Sequence, residues 1–241
     1  IRYVTFDTSE SAPASSVADG ASYSSTITQE NGVDEADRIK YDGNHLYIAN
    51  NGYYYAQTEM DKTSFSNANV RIMNRQADDS LVQVGQIDFG DENGTSSING
   101  LFLADDKLSV LSNSHSFYSL AASTFDIWHP QPQKFGFSLY DVSTVATPSQ
   151  QASYDIDGYM ISSRRVDNTL VLVSSYTAHI DGLIYFPQTE EEKQKNYDLI
   201  QSLDVADLLP TYVDAAGNSK QLVTEDQCFI PEDATSKDGY D

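Results

Sequence analysis

Gly32-Val33-Asp34-Glu35-Ala36-Asp37-Arg38-Ile39-Lys40-Tyr41-Asp42-Gly43-Asn44-His45-Leu46-Tyr47-Ile48-Ala49-Asn50 is an acidic approach running into two short apolar runs parted by a tight turn. Asp42-Gly43 supplies the positive φ that a tight β-turn needs, so the stretch reads as a hairpin. The arrangement recurs at Leu101-Phe102-Leu103, where the chain turns at Ala104-Asp105-Asp106-Lys107 and returns as Leu108-Ser109-Val110-Leu111-Ser112. It recurs again with residues 161–166, a turn at Asp167-Asn168-Thr169, and Leu170-Val171-Leu172-Val173-Ser174. Asp42 and Asp105 are 63 residues apart, and Asp105 and Asp167 are 62.

Two further apolar runs follow each of the first two hairpins, at residues 69–73 and 81–89 and then at 135–141 and 151–156. Four antiparallel strands in every repeat of about 62 residues is the pattern of an all-β chain folded as a β-propeller. A β-sandwich with chance spacing is the competing architecture. On the propeller reading, blade 1 covers about 33–90 and blade 2 about 98–157, while blade 3 begins within 158–241. Residues 1–28 are a Ser/Ala-rich arm, with Tyr3, Val4 and Phe6 as anchors for an edge strand, and residues 29–241 are the partial propeller. Closed propellers have about four to eight blades, against roughly two and a half here. The expected partner is therefore the remainder of the propeller, in the same protein or a second chain.

The third unit departs from the repeat after its hairpin. Thr189-Glu190-Glu191-Glu192 has the form of a capping box, and Tyr197, Ile200 and Leu203 fall on one face of the helix it would start. A helical insert over about 177–226 is expected, its apolar face packed on the propeller.

The 241 residues hold 36 acidic against 14 basic side chains, a formal net charge of −22 that opposes nucleic acid and anionic lipid and favours cationic partners. Cys228 is the single cysteine, which excludes a disulfide within this chain and a multi-cysteine zinc site. No run of about 18 apolar residues is present to form a membrane span. The start at Ile1-Arg2-Tyr3, without Met or an apolar leader, is expected of a processed or excised piece.

The approach and its hairpin resemble a known family, the secreted prokaryotic proteins with a β-propeller domain at or near the C-terminus. The matching residues run from Tyr23-Ser24-Ser25-Thr26-Ile27-Thr28-Gln29-Glu30-Asn31 through Gly32-Val33-Asp34-Glu35-Ala36-Asp37-Arg38-Ile39-Lys40-Tyr41-Asp42-Gly43, similar to that family's opening N-x-Q-x-x-G-V-D-E-x-D-x-x-K-x-D-G. Leu139-Tyr140-Asp141-Val142-Ser143 with Pro148, and Gly158-Tyr159-Met160-Ile161-Ser162-Ser163-Arg164-Arg165, look like its later blades. The resemblance spans most of residues 23–240, and it departs at Ile27, where the family has Asn, and at the insert. It implies a secreted, periplasmic or cell-surface propeller whose biochemical role is undefined.

Asp34, Glu35 and Asp37 precede an innermost-strand position, where side chains reach a propeller's channel, and three hard oxygen donors this close suit Ca²⁺. The competing reading caps turns with these carboxylates or pairs them with Arg38, Arg164 or Arg165. Asp88-Phe89-Gly90-Asp91-Glu92-Asn93-Gly94 is a second acidic loop without EF-hand spacing, and its Asp-Phe-Gly lacks the companion motifs of a kinase. His45, His115, His129 and His179 are scattered, with no His-Glu-x-x-His pair and no Gly-x-Ser-x-Gly elbow. Tyr53, Tyr54, Tyr55 and Trp128 are the binding candidates, since tyrosine and tryptophan serve as anchors at interfaces. These features point to a secreted binding or scaffold module for a protein or carbohydrate ligand. The alternatives are a hydrolase or lyase with acidic residues around the channel, which needs paired carboxylates, and a metal-stabilised spacer.

Overall fold

The computed structural model describes residues 4–7, 33–55, 64–89, 94–116 and 133–227. Its first sheet contains β3 (Ile39–Tyr41), β4 (His45–Asn50), β7 (Ala68–Arg75) and β8 (Leu81–Phe89), hydrogen-bonded in that order. Between β4 and β7 a separate two-stranded hairpin joins β5 (Tyr53–Tyr55) to β6 (Ser64–Ser66). The second sheet is built on β9 (Gly94–Ala104), β10 (Lys107–Ser116), β11 (Lys134–Asp141) and β12 (Ser149–Asp157), again each beside the next. The third begins with the hairpin of β13 (Tyr159–Val166) and β14 (Thr169–Ser175). The three hairpins turn where the sequence placed them, with φ positive at Gly43 (102°), Asp105 (49°) and Asp167 (51°). Aspartate tolerates positive φ better than most side chains, so the second and third turns use it where the first has glycine.

Alternation along these strands gives each sheet an apolar face, and the second sheet is covered on both sides. Tyr47, Val70, Ile72 and Ile87 of the first sheet pack with Ile98, Leu101, Leu108 and Val110 of the second, all buried. Phe102, Leu111, Phe135, Phe137 and Ile156 turn the other way and meet Leu170 and Leu172 of the third. Each such side chain removed from water contributes about 1.5–3 kcal/mol before the entropy of ordering is counted. The outward faces at the two ends of this stack remain open: Ile39 and Leu81 on one side and Tyr159, Ile161 and Val166 on the other are exposed.

Lateral neighbours brought in from elsewhere in the chain depart from a strict four-strand repeat. β1 (Val4–Asp7) pairs with β14, and β2 (Val33–Glu35) pairs with β13, so the third sheet has the order β1-β14-β13-β2. The insert contributes β15 (Thr211–Asp214) and β16 (Ser219–Gln221) to the second sheet, extending it to six strands. β15 is fixed beside β12 by Asp157, whose Oδ2 accepts hydrogen bonds from the Thr211 amide (2.8 Å) and hydroxyl (2.7 Å). Phe137 stacks on Tyr154, which meets Tyr212 edge-on at 5.8 Å.

The expected helix is α1 (Glu190–Ser202), and Thr189 and Glu192 close the capping box, each side chain on the other's backbone amide. The face assigned to it needs correction. Tyr197 and Ile200 are exposed, while Glu192, Asn196, Leu199 and Leu203 form the less exposed stripe. Asn196 sets this orientation, since its side-chain amide donates to the Ile184 carbonyl (2.7 Å) and its Oδ1 accepts from the Ile184 amide (2.9 Å). A polar clasp to a neighbouring loop, not burial of Tyr197 and Ile200, holds the helix.

Candidate functional site

The acidic approach is a strap across the inner edges of all three sheets. Val33, Asp34 and Glu35 pair with Val166, Arg165 and Arg164 of the third sheet. Asp37 then bridges to Leu101 of the second, its carbonyl accepting from the Leu101 amide at 2.8 Å. The chain enters the first sheet at β3, with the Arg38 carbonyl accepting from the Ala49 amide (2.8 Å). The strap thus crosses the sheets in the reverse of their sequence order. It lies so close to β9 that a Cβ on Gly100 would come within 2.5 Å of the Ala36 Cβ, which leaves glycine the residue that fits there.

Lys40 is the centre of this junction. It shares a sheet face with Tyr47, its partner on β4, and is only 7% exposed. Its ammonium donates to Asp34 Oδ1 and to the Glu35 carbonyl, both at 2.8 Å, and lies 3.5 Å from Asp37 Oδ2. The Phe102 ring is 5.7 Å away on the second sheet, within reach of a cation–π attraction. Buried charge is tolerated where it is paired and hydrogen-bonded, and this set of partners meets that condition. Glu35 turns its carboxylate to Arg164 at 3.1 Å. Arg38 donates to the Ala49 carbonyl (3.0 Å) and Asn51 Oδ1 (3.1 Å), and the same Oδ1 accepts from the Ile98 amide (3.0 Å), joining the first two sheets.

Asp34 and Asp37 are therefore brought together at the Lys40 ammonium, while the Glu35 carboxylate turns away to Arg164. Among the described residues no group of three His, Cys, Asp or Glu side chains converges as a metal site. The pairing of Glu35 with Arg164 follows the alternative that the sequence left open, whereas Lys40 escaped it. Ile39 is exposed and Lys40 buried, inverting the usual polarity of a strand, because the Ile39 face lies at the open end of the stack.

Asp42 organises the first turn by accepting from the Asn44 and His45 amides, each at 2.7 Å, and from the Tyr47 hydroxyl at 3.1 Å. Burial alone would raise its pKa, but these bonds and His45 outweigh that and hold the carboxyl below its ordinary value. The Tyr47 hydroxyl is pushed well up by burial and by Asp42. His45 stands at the turn, with Nδ1 3.2 Å from Asp42 Oδ2, and is part of this local network. Tyr53, Tyr54 and Tyr55 form β5, in the connection between the second and third strands of the first sheet. Trp128 falls in the sequence between β10 and β11 of the second sheet; it, Cys228 and residues 90–93 lie outside the described residues.

Three stacked antiparallel sheets ranked around one inner strap define an arc of a β-propeller, as the repeat predicted. Residues 23–240 match the family described as Beta propeller domain, and the chain belongs to that family. No curated protein and no solved structure matches it.

Proposed function

We propose that this chain is part of a secreted or cell-surface propeller that works as a binding or scaffold module for a protein or carbohydrate ligand. The acidic strap holds the sheets together, and the second-to-third-strand connections meet the ligand. The observation that carries this reading is the commitment of the strap's carboxylates to Lys40 and Arg164, which turns Asp34 and Glu35 toward protein cations rather than toward a substrate. A hydrolase or lyase needs a carboxylate within hydrogen-bond reach of its substrate. The aromatic run Tyr53–Tyr55 lies instead in a connection that leaves the sheet, where an anchor residue has its use. Lys40 takes the role that the sequence offered to Ca²⁺, and the remainder of the propeller covers the open outer faces.

The test is retention on chitin, cellulose and chitosan, chosen because the net charge of −22 favours neutral and cationic polymers over acidic ones. The expected result is retention of at least one polymer with no new reducing ends. Reducing-end release that disappears in Asp34→Asn would establish the hydrolytic alternative, and retention of none would remove the carbohydrate ligand from the proposal.

A further inference from the structure

The insert roofs a cavity of about 140 Å³ between the second and third sheets. Phe135 and Ile156 of the second sheet and Leu172 of the third form its floor, and all three are buried. Pro210, Leu222 and Val223 of the insert lie over it. Asp157, Ser174 and Tyr176 supply the polar part of the lining, and Tyr176 is 36% exposed, so the cavity reaches solvent beside its ring. A space of this size walled by Leu, Ile and Phe is unfavourable for water away from its polar edge, and an apolar cavity of about 150 Å³ takes a benzene-sized guest.

The polar edge narrows the class of guest. Asp157 is already engaged, with Oδ2 held by Thr211 and Oδ1 3.2 Å from the Lys134 ammonium, so it is a fixed negative charge rather than an open ligand. Lys134 offsets that charge, and an anionic guest is disfavoured because its carboxylate would lose hydration in an apolar space. Ser174 and Tyr176 each carry a hydroxyl that donates or accepts one hydrogen bond.

The geometry points to a binding site for a small neutral ring compound of the phenol class, its ring between Phe135, Ile156 and Leu172 and its hydroxyl toward Ser174 or Tyr176. The insert is the lid of this site, because Pro210, Leu222 and Val223 would contact the guest from above. Neither the strap nor the second-to-third-strand connections of the first two sheets take part, so this site stands apart from the proposed ligand surface.

The test is a titration of the full chain with phenol, followed through its methyl resonances, with benzoate as the charged comparator. Phenol is expected to shift the Ile156, Leu172 and Val223 methyls saturably and to show ring-to-methyl Overhauser contacts with them. Benzoate at equal concentration leaves them in place. Val223→Phe fills the space from the half-buried lid side, without altering the buried floor, and abolishes the phenol shifts. The proposal is overturned if phenol leaves these methyls unmoved, if benzoate shifts them equally, or if folded Val223→Phe still responds as the wild type does.

Discussion

Replacing Lys40 with Met tests whether a buried ammonium holds the strap. Methionine keeps most of the aliphatic stem and deletes the charge, removing two 2.8 Å hydrogen bonds and the 3.5 Å pair with Asp37. Hydrogen bonds to charged groups contribute about 1.5–3 kcal/mol each, and the Asp37 pair, on a half-exposed carboxylate, about 0–1 kcal/mol. Loss of the lysine's own desolvation cost offsets part of this, while Asp34, 19% exposed, is left as a poorly solvated charge. The expected net destabilisation is about 2–4 kcal/mol. Urea denaturation measures it, as a fall in midpoint at unchanged slope. Adding Asp34→Asn removes the stranded charge, so the double variant should be more stable than the sum of the single effects predicts, by about 0.5–3 kcal/mol. A Lys40→Met midpoint within about 0.5 kcal/mol of wild type, the range of ordinary surface substitutions, would refute this account of the junction.

Gly100→Ala should destabilise by about 1–3 kcal/mol through overpacking against Ala36, and a thermal melt matching wild type would mean that the strap shifts freely on β9. Acid should release the insert from the second sheet. Burial alone would raise the Asp157 pKa, but the Thr211 hydrogen bonds and Lys134 outweigh it and hold the carboxyl below its ordinary value. A depressed folded value gives stability that is present above the unfolded pKa of about 3.9 and lost as pH falls through the folded one. Thr211 amide exchange, corrected for its intrinsic pH dependence, should therefore accelerate below about pH 4 in wild type. Asp157→Asn should flatten that acid dependence, and an unchanged profile in the variant would place the latch elsewhere.

The hairpins and their spacing were legible because they rest on local chemistry: an aspartate or glycine that accepts positive φ, and alternation that marks one face of each strand. The thirteen residues of α1 were legible for the same reason, through the Thr189 and Glu192 capping box. What alternation does not encode is the lateral neighbour of a strand. Nothing local to Val33-Asp34-Glu35 names β13 as its partner, and nothing in Thr211-Tyr212-Val213-Asp214 names β12. Tyr197 and Ile200 misled because an apolar stripe outweighed the single polar side chain, Asn196, that clasps the neighbouring loop. At the strap, the carboxylates were visible and their counterion was not. Lys40 lies six residues beyond Asp34, and only the bend of the chain at Asp37 and Arg38 returns its ammonium to Asp34.

The strap also dictates an order of events in time. Glu35 meets Arg164 across 129 residues of chain, whereas β3 meets β4 within a dozen. Closing the longer loop is entropically costlier, and contacts of that span form after local ones. When the chain emerges from its N-terminus, the first sheet and the four consecutive strands β9 to β12 of the second are complete before β13 exists, and Glu35 has no neighbour on that side until residue 164 is made. Lys40 can engage Asp34 long before then, since six residues separate them. The junction is therefore half assembled by local chemistry and fastened by the last sheet to arrive, so β13 acts as the clasp on an arc whose first two members are already in place.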